Sequence, residues 1–265
     1  MKRTLLCALL ALCLVSAAAA AQAPQKGTAD DPYLLGETCA FTAEVLADGS
    51  PRTVADEAGY QSVEMALTLY NYLTPDYFAQ NYGRFYKLSG TEAGALIALE
   101  NRGKTGVVPQ NAFWVTVQSA DGAQQTGYQL MDAPLGGNYG VRIEPGERKL
   151  LCKRFDQQPG QEARYLVLTY CVDGQAHSRY FLLEEREAYP QLQRGSRGEE
   201  VTALQQRLID LGYLDDDADG IFGPNTEAAV RAARQAAGFE ESGAADDAFQ
   251  FALYAQSFPQ ASAQT

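Results

Sequence analysis

Hydrophobic and polar positions change their period part-way along the chain. In the first two-thirds they alternate. Val63, Met65, Leu67 and Leu69 share one parity, with Glu64, Thr68 and Tyr70 on the other. Phe113, Val115 and Val117 alternate with Trp114, Thr116 and Gln118 before an Asp121-Gly122 turn. Ile97 and Leu99 lead into Asn101-Arg102-Gly103, and Val141 and Ile143 run into Glu144-Pro145-Gly146-Glu147. Strands are also predicted over 150–155, over 165–172 ending at Asp173-Gly174, and over 177–183. Short alternating runs broken about every ten residues by Asp-Gly and Pro-Gly turns predict an antiparallel sandwich. After Leu192 the period becomes helical. Val201, Leu204, Leu208 and Leu211 form one stripe, preceded by Ser196 and Glu199 at capping-box spacing. Gly212-Tyr213 reads as a left-handed helix stop. Gly223-Pro224 opens a second helix with Ala229, Val230 and Ala233 inside, Gly238-Phe239 repeats the stop, and Phe249 with Leu253 marks a third helix. The predicted fold is therefore multidomain α and β, an antiparallel β-sandwich followed by a small three-helix bundle.

Two motifs in the helical part carry a family resemblance. Gly195, Gly198, Val201, Leu204, Gln205, Leu208, Gly212 and Tyr213 fit G-x-x-G-x-x-V-x-x-L-Q-x-x-L-x-x-x-G-Y. Asp219, Gly220, Phe222, Gly223, Thr226, Ala229 and Val230 fit D-G-x-F-G-x-x-T-x-x-A-V. Together they resemble the peptidoglycan-binding domain carried as an appendage by many bacterial cell-wall hydrolases. The chain departs from that family further on. It has Ala233-Arg234 where the family usually has Phe-Gln, and Ser242-Gly243 and Phe249 where the family repeats an Asp-Gly turn and a Thr. The middle segment is similar, more faintly, to immunoglobulin-like sandwich domains of exported bacterial proteins. That likeness rests on the turn at Asn101-Arg102-Gly103, the Asp121-Gly122 turn and the Pro145-Gly146-Glu147 turn, and turn chemistry speaks to fold alone.

The N-terminus predicts export. Lys2 and Arg3 precede an apolar run from Leu5 to Val15, followed by small residues up to Ala23. This is the order of a secretory signal, and the run is too short to span a membrane. The expected organisation is a signal peptide at 1–21, a polar leader at 22–31, a β-sandwich at 32–185 and a linker at 186–195. A three-helix domain at 196–256 and a disordered tail at 257–265 complete it.

Composition limits the partners. The chain has 21 basic and 33 acidic side chains, a net charge of −12. That acidity argues against nucleic acid and against anionic lipid. Removal of the signal leaves Cys39, Cys152 and Cys171, which allow one disulfide or three reduced thiols.

Catalytic chemistry finds little support. A catalytic zinc needs several His and carboxylate ligands, and His177 is the single histidine. Cys171 and His177 flank an Asp-Gly turn and are read as a strand pair rather than a nucleophile and base. Glu44, Asp56, Glu57 and Glu64 sit in no acid motif. The acidic run from Asp215 to Asp219 is read as a turn, not a calcium loop. Tyr72, Tyr77, Phe78, Tyr82, Phe85 and Tyr86 are read as sandwich core and strand pairing.

No cofactor, metal or catalytic residue is expected. The resemblance implies a wall-polymer contact beside the loop between the first two helices, at Tyr213, Asp219, Asn225 and Thr226. The expectation is a secreted, cell-wall-associated protein that is not an enzyme. Its helical module would hold an interaction sandwich, open to a protein partner, against peptidoglycan. The competing readings are a wall-processing hydrolase or its accessory subunit, and a protein scaffold whose helical unit no longer binds glycan.

Overall fold

The computed structural model describes residues 26–46, 59–82, 90–131, 140–158, 160–255 and 258–261. The expected signal peptide lies outside them. Strands β1 (Thr38–Leu46), β2 (Tyr60–Leu73), β3 (Glu92–Asn101), β5 (Thr126–Met131) and β6 (Arg148–Asp156) form one sheet in the order β1-β2-β3-β6-β5. Strands β4 (Trp114–Ser119), β7 (Ala163–Val172) and β8 (Gln175–Leu182) form a second in the order β4-β7-β8. Every strand pair within the sheets is antiparallel. The β7–β8 hairpin turns on Asp173 (φ 49°) and Gly174 (φ 70°), the two left-handed residues that match strand twist in a two-residue turn. Between the sheets lie Phe41, Val63, Met65, Leu67, Ile97, Leu99, Val117, Leu151, Phe155, Leu166 and Leu168. Phe41 packs edge-on to Phe113 at 5.3 Å.

The alternation in β2 holds only as far as Leu69. Register slips between Leu69 and Asn71, and this bulge changes the parity of the residues beyond it. Tyr72 turns inward and stacks on Phe155 at 6.3 Å, while Tyr70 and Leu73 join the outer face. Helix α1 (Pro75–Tyr82) then carries Tyr77 and Phe78 to that same face, so these two aromatics are helical rather than strand residues. Phe85 and Tyr86, and the side chain of Tyr82, lie outside the described residues.

Other departures from the predicted elements have local causes. Strand β1 is not evident from the sequence because its buried face, Cys39, Phe41, Ala43 and Val45, is half small residues and carries a weak alternation. Val141 and Ile143 do not make a strand. Ile143 forms a single bridge to Val107 before Gly146 (φ 78°) turns the chain. Cys39, Cys152 and Cys171 are thiols, without a disulfide among them. His177 stands opposite Tyr170, and Cys171 stands opposite Ala176. Neighbouring positions on a strand face opposite ways, so this register separates the cysteine from the histidine.

The C-terminal part folds as α3 (Glu199–Asp210), α4 (Pro224–Ala236) and α5 (Asp247–Tyr254), after the short α2 (Pro109–Ala112) of the sandwich. Val201, Leu204, Leu208, Phe222, Val230, Ala233, Phe249 and Leu253 are all 1% exposed or less and form its core. The Ser196–Glu199 capping box is absent. Gly198 is the N-cap of α3 and makes no side-chain cap, and the Ser196 hydroxyl instead accepts from Gln193 N at 3.0 Å.

The three helices do not stand apart from the sandwich. Tyr70, Leu73, Leu96, Ala98 and Cys152 on the outer face of the larger sheet form one apolar cluster with the helical core. Tyr70 stacks on Phe239 at 6.3 Å. Gly238 (φ 78°) lies so close to β6 that an added Cβ would meet Arg148 O and Leu150 N at 3.1 Å each. The 186–195 segment is fixed as well. Arg186 pairs with Asp247 at 2.7 Å, Tyr189 N donates to the same carboxylate, and Leu192 pairs with Ala245. Phe258 is 4% exposed and Ala261 N donates to Leu211 O, so residues 258–261 pack on the helices rather than forming a disordered tail.

Gly238→Ala and Gly122→Ala both place Ala at positive φ, but Gly122 has open space within 4 Å. Gly122→Ala is expected to lose about 1 kcal/mol of unfolding free energy. Gly238→Ala is expected to lose about 1–3 kcal/mol more, because backbone on β6 cannot yield. Equal losses in urea unfolding would refute the close docking of α4 against β6.

Burial pushes the Tyr72, Tyr77 and Tyr254 phenols up to about 12. The unfolded chain therefore releases these protons first, and stability falls as pH rises from about 10 toward 12. The urea midpoint should drop over that window, and a flat midpoint would contradict the burial of these rings.

Candidate functional site

The loop between α3 and α4 is built from the glycine-rich motifs. Residues before α3 run alongside the loop. Gly195 N donates to Phe222 O, Phe222 N to Ser196 O, and Gly198 N to Gly220 O, each at 3.0 Å. Gly220 (φ 73°) must be a glycine, since a Cβ there would sit 2.8 Å from Thr202 Oγ1 and 3.3 Å from Gly198 O. The two motifs, separated in sequence, are one structure.

Gln205 locks that structure from beneath. Its side chain is 2% exposed, yet it lies four residues after Val201 on the apolar stripe of α3. Its Nε2 donates to Asp219 Oδ1 (2.9 Å), Ile221 O (3.1 Å) and Thr226 Oγ1 (3.1 Å), and its Oε1 accepts from Gly220 N (2.8 Å). A buried amide without partners would be costly, so this side chain and this loop conformation require each other. A polar residue within an apolar helical stripe was the sequence signal for it.

The four expected contact residues separate into different settings. Asp219 is exposed, and its carboxylate also accepts from Ile221 N at 2.9 Å. The Gln205 hydrogen bond first, then the Ile221 amide, holds it below the usual carboxylate range. Asn225 is exposed and donates to Asp216 Oδ2 at 2.8 Å. Thr226 is 2% exposed, with its hydroxyl taken up by Gln205, so it supports the loop from inside. Tyr213 lies beyond the C-terminal end of α3, where its hydroxyl donates to Pro259 O and its ring meets Phe258 edge-on. Asp219 and Thr226 thus meet at Gln205, while Asn225 is tied to Asp216 and Tyr213 is held by the segment after α5. The exposed Ile221, which no sequence pattern singles out, adds an apolar group to the loop surface.

The departures from the family motif also have a structural account. Arg234, where the family usually has Gln, is 5% exposed at the buried face of α4. Its guanidinium donates to Glu240 O (2.9 Å), Ala244 O (3.3 Å) and Asp246 Oδ2 (2.8 Å), and lies 5.3 Å from the Phe239 and Phe249 ring centres. Asp246 in turn caps α5 by accepting from Phe249 N. Arg234 does for the α4–α5 loop what Gln205 does for the α3–α4 loop.

Residues 197–253 match the family model of a peptidoglycan binding domain. That domain supports cell-wall binding and association of the chain with the wall. Among the described residues no helix is long and apolar enough to cross a membrane. A solved L,D-transpeptidase from Xylanimonas cellulosilytica is 48% identical over 28% of this chain, with a TM-score of 0.26. This chain spans 37% of the length of that one. An uncharacterized β-sandwich protein from Clostridium difficile is 11% identical and covers 62% of this chain over all of its own, with a TM-score of 0.28. A secreted protein from Mycobacterium tuberculosis is 14% identical over 58% of this chain and 98% of its own, with a TM-score of 0.35. A comparison with curated proteins gave no match.

Gln205→Ala strands the Gly220 amide and loosens Asp219 and Thr226. The expected loss is about 1–3 kcal/mol in denaturant unfolding, with faster hydrogen exchange at Gly220 N. Unchanged exchange at that amide would show the loop to be held by its backbone alone.

Proposed function

We propose that the protein is an exported, non-catalytic component of the cell envelope whose helical module binds peptidoglycan and retains the β-sandwich at the wall. The observation that carries this reading is the family match at 197–253, together with the Gln205-locked loop that the matched motifs build. In this reading Asp219, Asn225 and Ile221 present polar and apolar groups at the loop surface. Thr226 and Gln205 keep that surface in shape, and Tyr213 adds a half-buried aromatic edge at the far end of α3. Such a surface suits sugar hydroxyls or a short peptide. The sandwich is free to meet a protein partner on the outer face of its smaller sheet, where Trp114 is 43% exposed.

The full chain without its first 21 residues is expected to co-sediment with insoluble peptidoglycan at low and at high salt, since Asp219 is the one charge among the named surface groups and uncharged contacts are little screened. Protein that stays in the supernatant would overturn wall retention. Incubation with the same polymer is expected to release no soluble muropeptides. Chromatographic detection of released fragments would overturn the non-catalytic part.

A further inference from the structure

Docking of the helices creates a concavity that belongs to neither part alone. The leader and start of β1 supply one wall, through Tyr33, Glu37 and Thr38, and the 186–195 segment and α5 supply the other, through Tyr189, Phe251 and Tyr254. The cleft has a volume of about 990 Å³, enough for more than one sugar ring. We infer that this junction cleft binds the neutral sugar rings of a wall glycan, with the exposed Tyr189 ring, backed by Tyr254, as the stacking platform. The choice of a wall glycan rests on the wall-binding reading above, whereas the cleft itself rests on its aromatic geometry and its charge.

Tyr189 and Tyr254 lie with ring centres 5.5 Å apart and planes tilted by 35°, and Tyr189 is 37% exposed. Tyr189 is held in place by its neighbours. Arg186 stands 5.3 Å from the Tyr189 ring centre and 4.3 Å from that of Phe251, and its charge is spent on Asp247 at 2.7 Å. Tyr189 is also fixed through its backbone, since its N–H donates to Asp247. A stacking surface that is rigid before the ligand arrives loses less freedom on binding. On the opposite wall Lys26 is paired with Glu37 at 2.8 Å and with Asp31 at 3.6 Å. With its cations engaged by carboxylates, and in a chain of net charge −12, the cleft disfavours an anionic ligand. The exposed Tyr189 ring offers flat apolar area to the C–H face of a sugar, and its hydroxyl offers a hydrogen bond to the sugar edge. The seam is closed at its base by Gly36 (φ 81°), where an added Cβ would lie 3.3 Å from Ala255.

The test titrates the full chain without its first 21 residues with a soluble N-acetylglucosamine oligomer by calorimetry. Wild type is expected to bind it saturably. Tyr189→Ala is expected to weaken binding about tenfold or more, while Tyr189→Phe, which keeps the ring, retains most of the affinity. Trp114→Ala, which removes an exposed aromatic of β4 that does not line the cleft, should bind like wild type. Tyr189→Ala gives up the ring contacts with Arg186 and Tyr254 and is expected to lower the thermal midpoint by a few degrees, while Tyr189→Phe keeps it; a single cooperative transition in each variant confirms the fold. Absence of oligomer binding by wild type, or unaltered binding by Tyr189→Ala, would overturn the junction cleft. A chain that co-sediments with peptidoglycan but ignores the oligomer loses the cleft and keeps wall retention, and a chain that does neither loses both.

Discussion

Covering the second face of the five-stranded sheet is the constraint on which the rest of the molecule depends. Strand β3 is buried along almost its whole length, on both sides, although the smaller sheet covers only one of them. The outer side carries Tyr70, Leu73, Leu96 and Ala98, and leaving such residues in water would cost about 1.5–3 kcal/mol for each of the larger ones. The helical unit supplies the cover. Its own core would be small for an independent domain, and it gains from the contact in the same way. Asp247 fixes the geometry of that contact. It sits in the first turn of α5, where a negative charge is favoured, and gathers Arg186, the Tyr189 amide and Asn71 of β2 at one carboxylate.

A second theme is the use of buried polar side chains to hold loops. Gln205, Arg234 and Gln250 each occupy the inward face of a helix, where apolar residues are the rule. Each is satisfied in part by backbone groups of the segment beside it; Gln250, for example, donates to Pro190 O and Ala245 O. Because an unmatched polar group in that position is expensive, such residues select one loop conformation over its neighbours.

Much of this was legible in the sequence. The three helices, their glycine stops at Gly212 and Gly238, the Gly223-Pro224 start and the apolar stripes follow from local rules that tertiary contacts did not override. The strands from β2 to β8 were visible where large apolar residues alternate, and invisible where they do not. Strand β1 relies on Cys39 and Ala43, and β5 is short and contains Gly127. The capping box at Ser196 failed because backbone pairing with 220–222 claimed the segment first. The bulge after Leu69 could not be read at all, since parity looks the same on either side of it until a partner strand is present. At the loop, sequence placed Thr226 on the surface because it is polar, whereas Gln205 draws its hydroxyl inward. The junction cleft was beyond reach, for its walls come from residues more than a hundred positions apart.

The pinned 186–195 segment alters what kind of connection joins the two parts. A flexible tether would let them sample many separations, and a polymer touching both would meet a local concentration set by chain statistics. Here Arg186, Tyr189 and Leu192 are all fixed to the helical unit, so that averaging is removed. The molecule behaves as a ruler: a ligand that reaches from one part to the other must fit a single span.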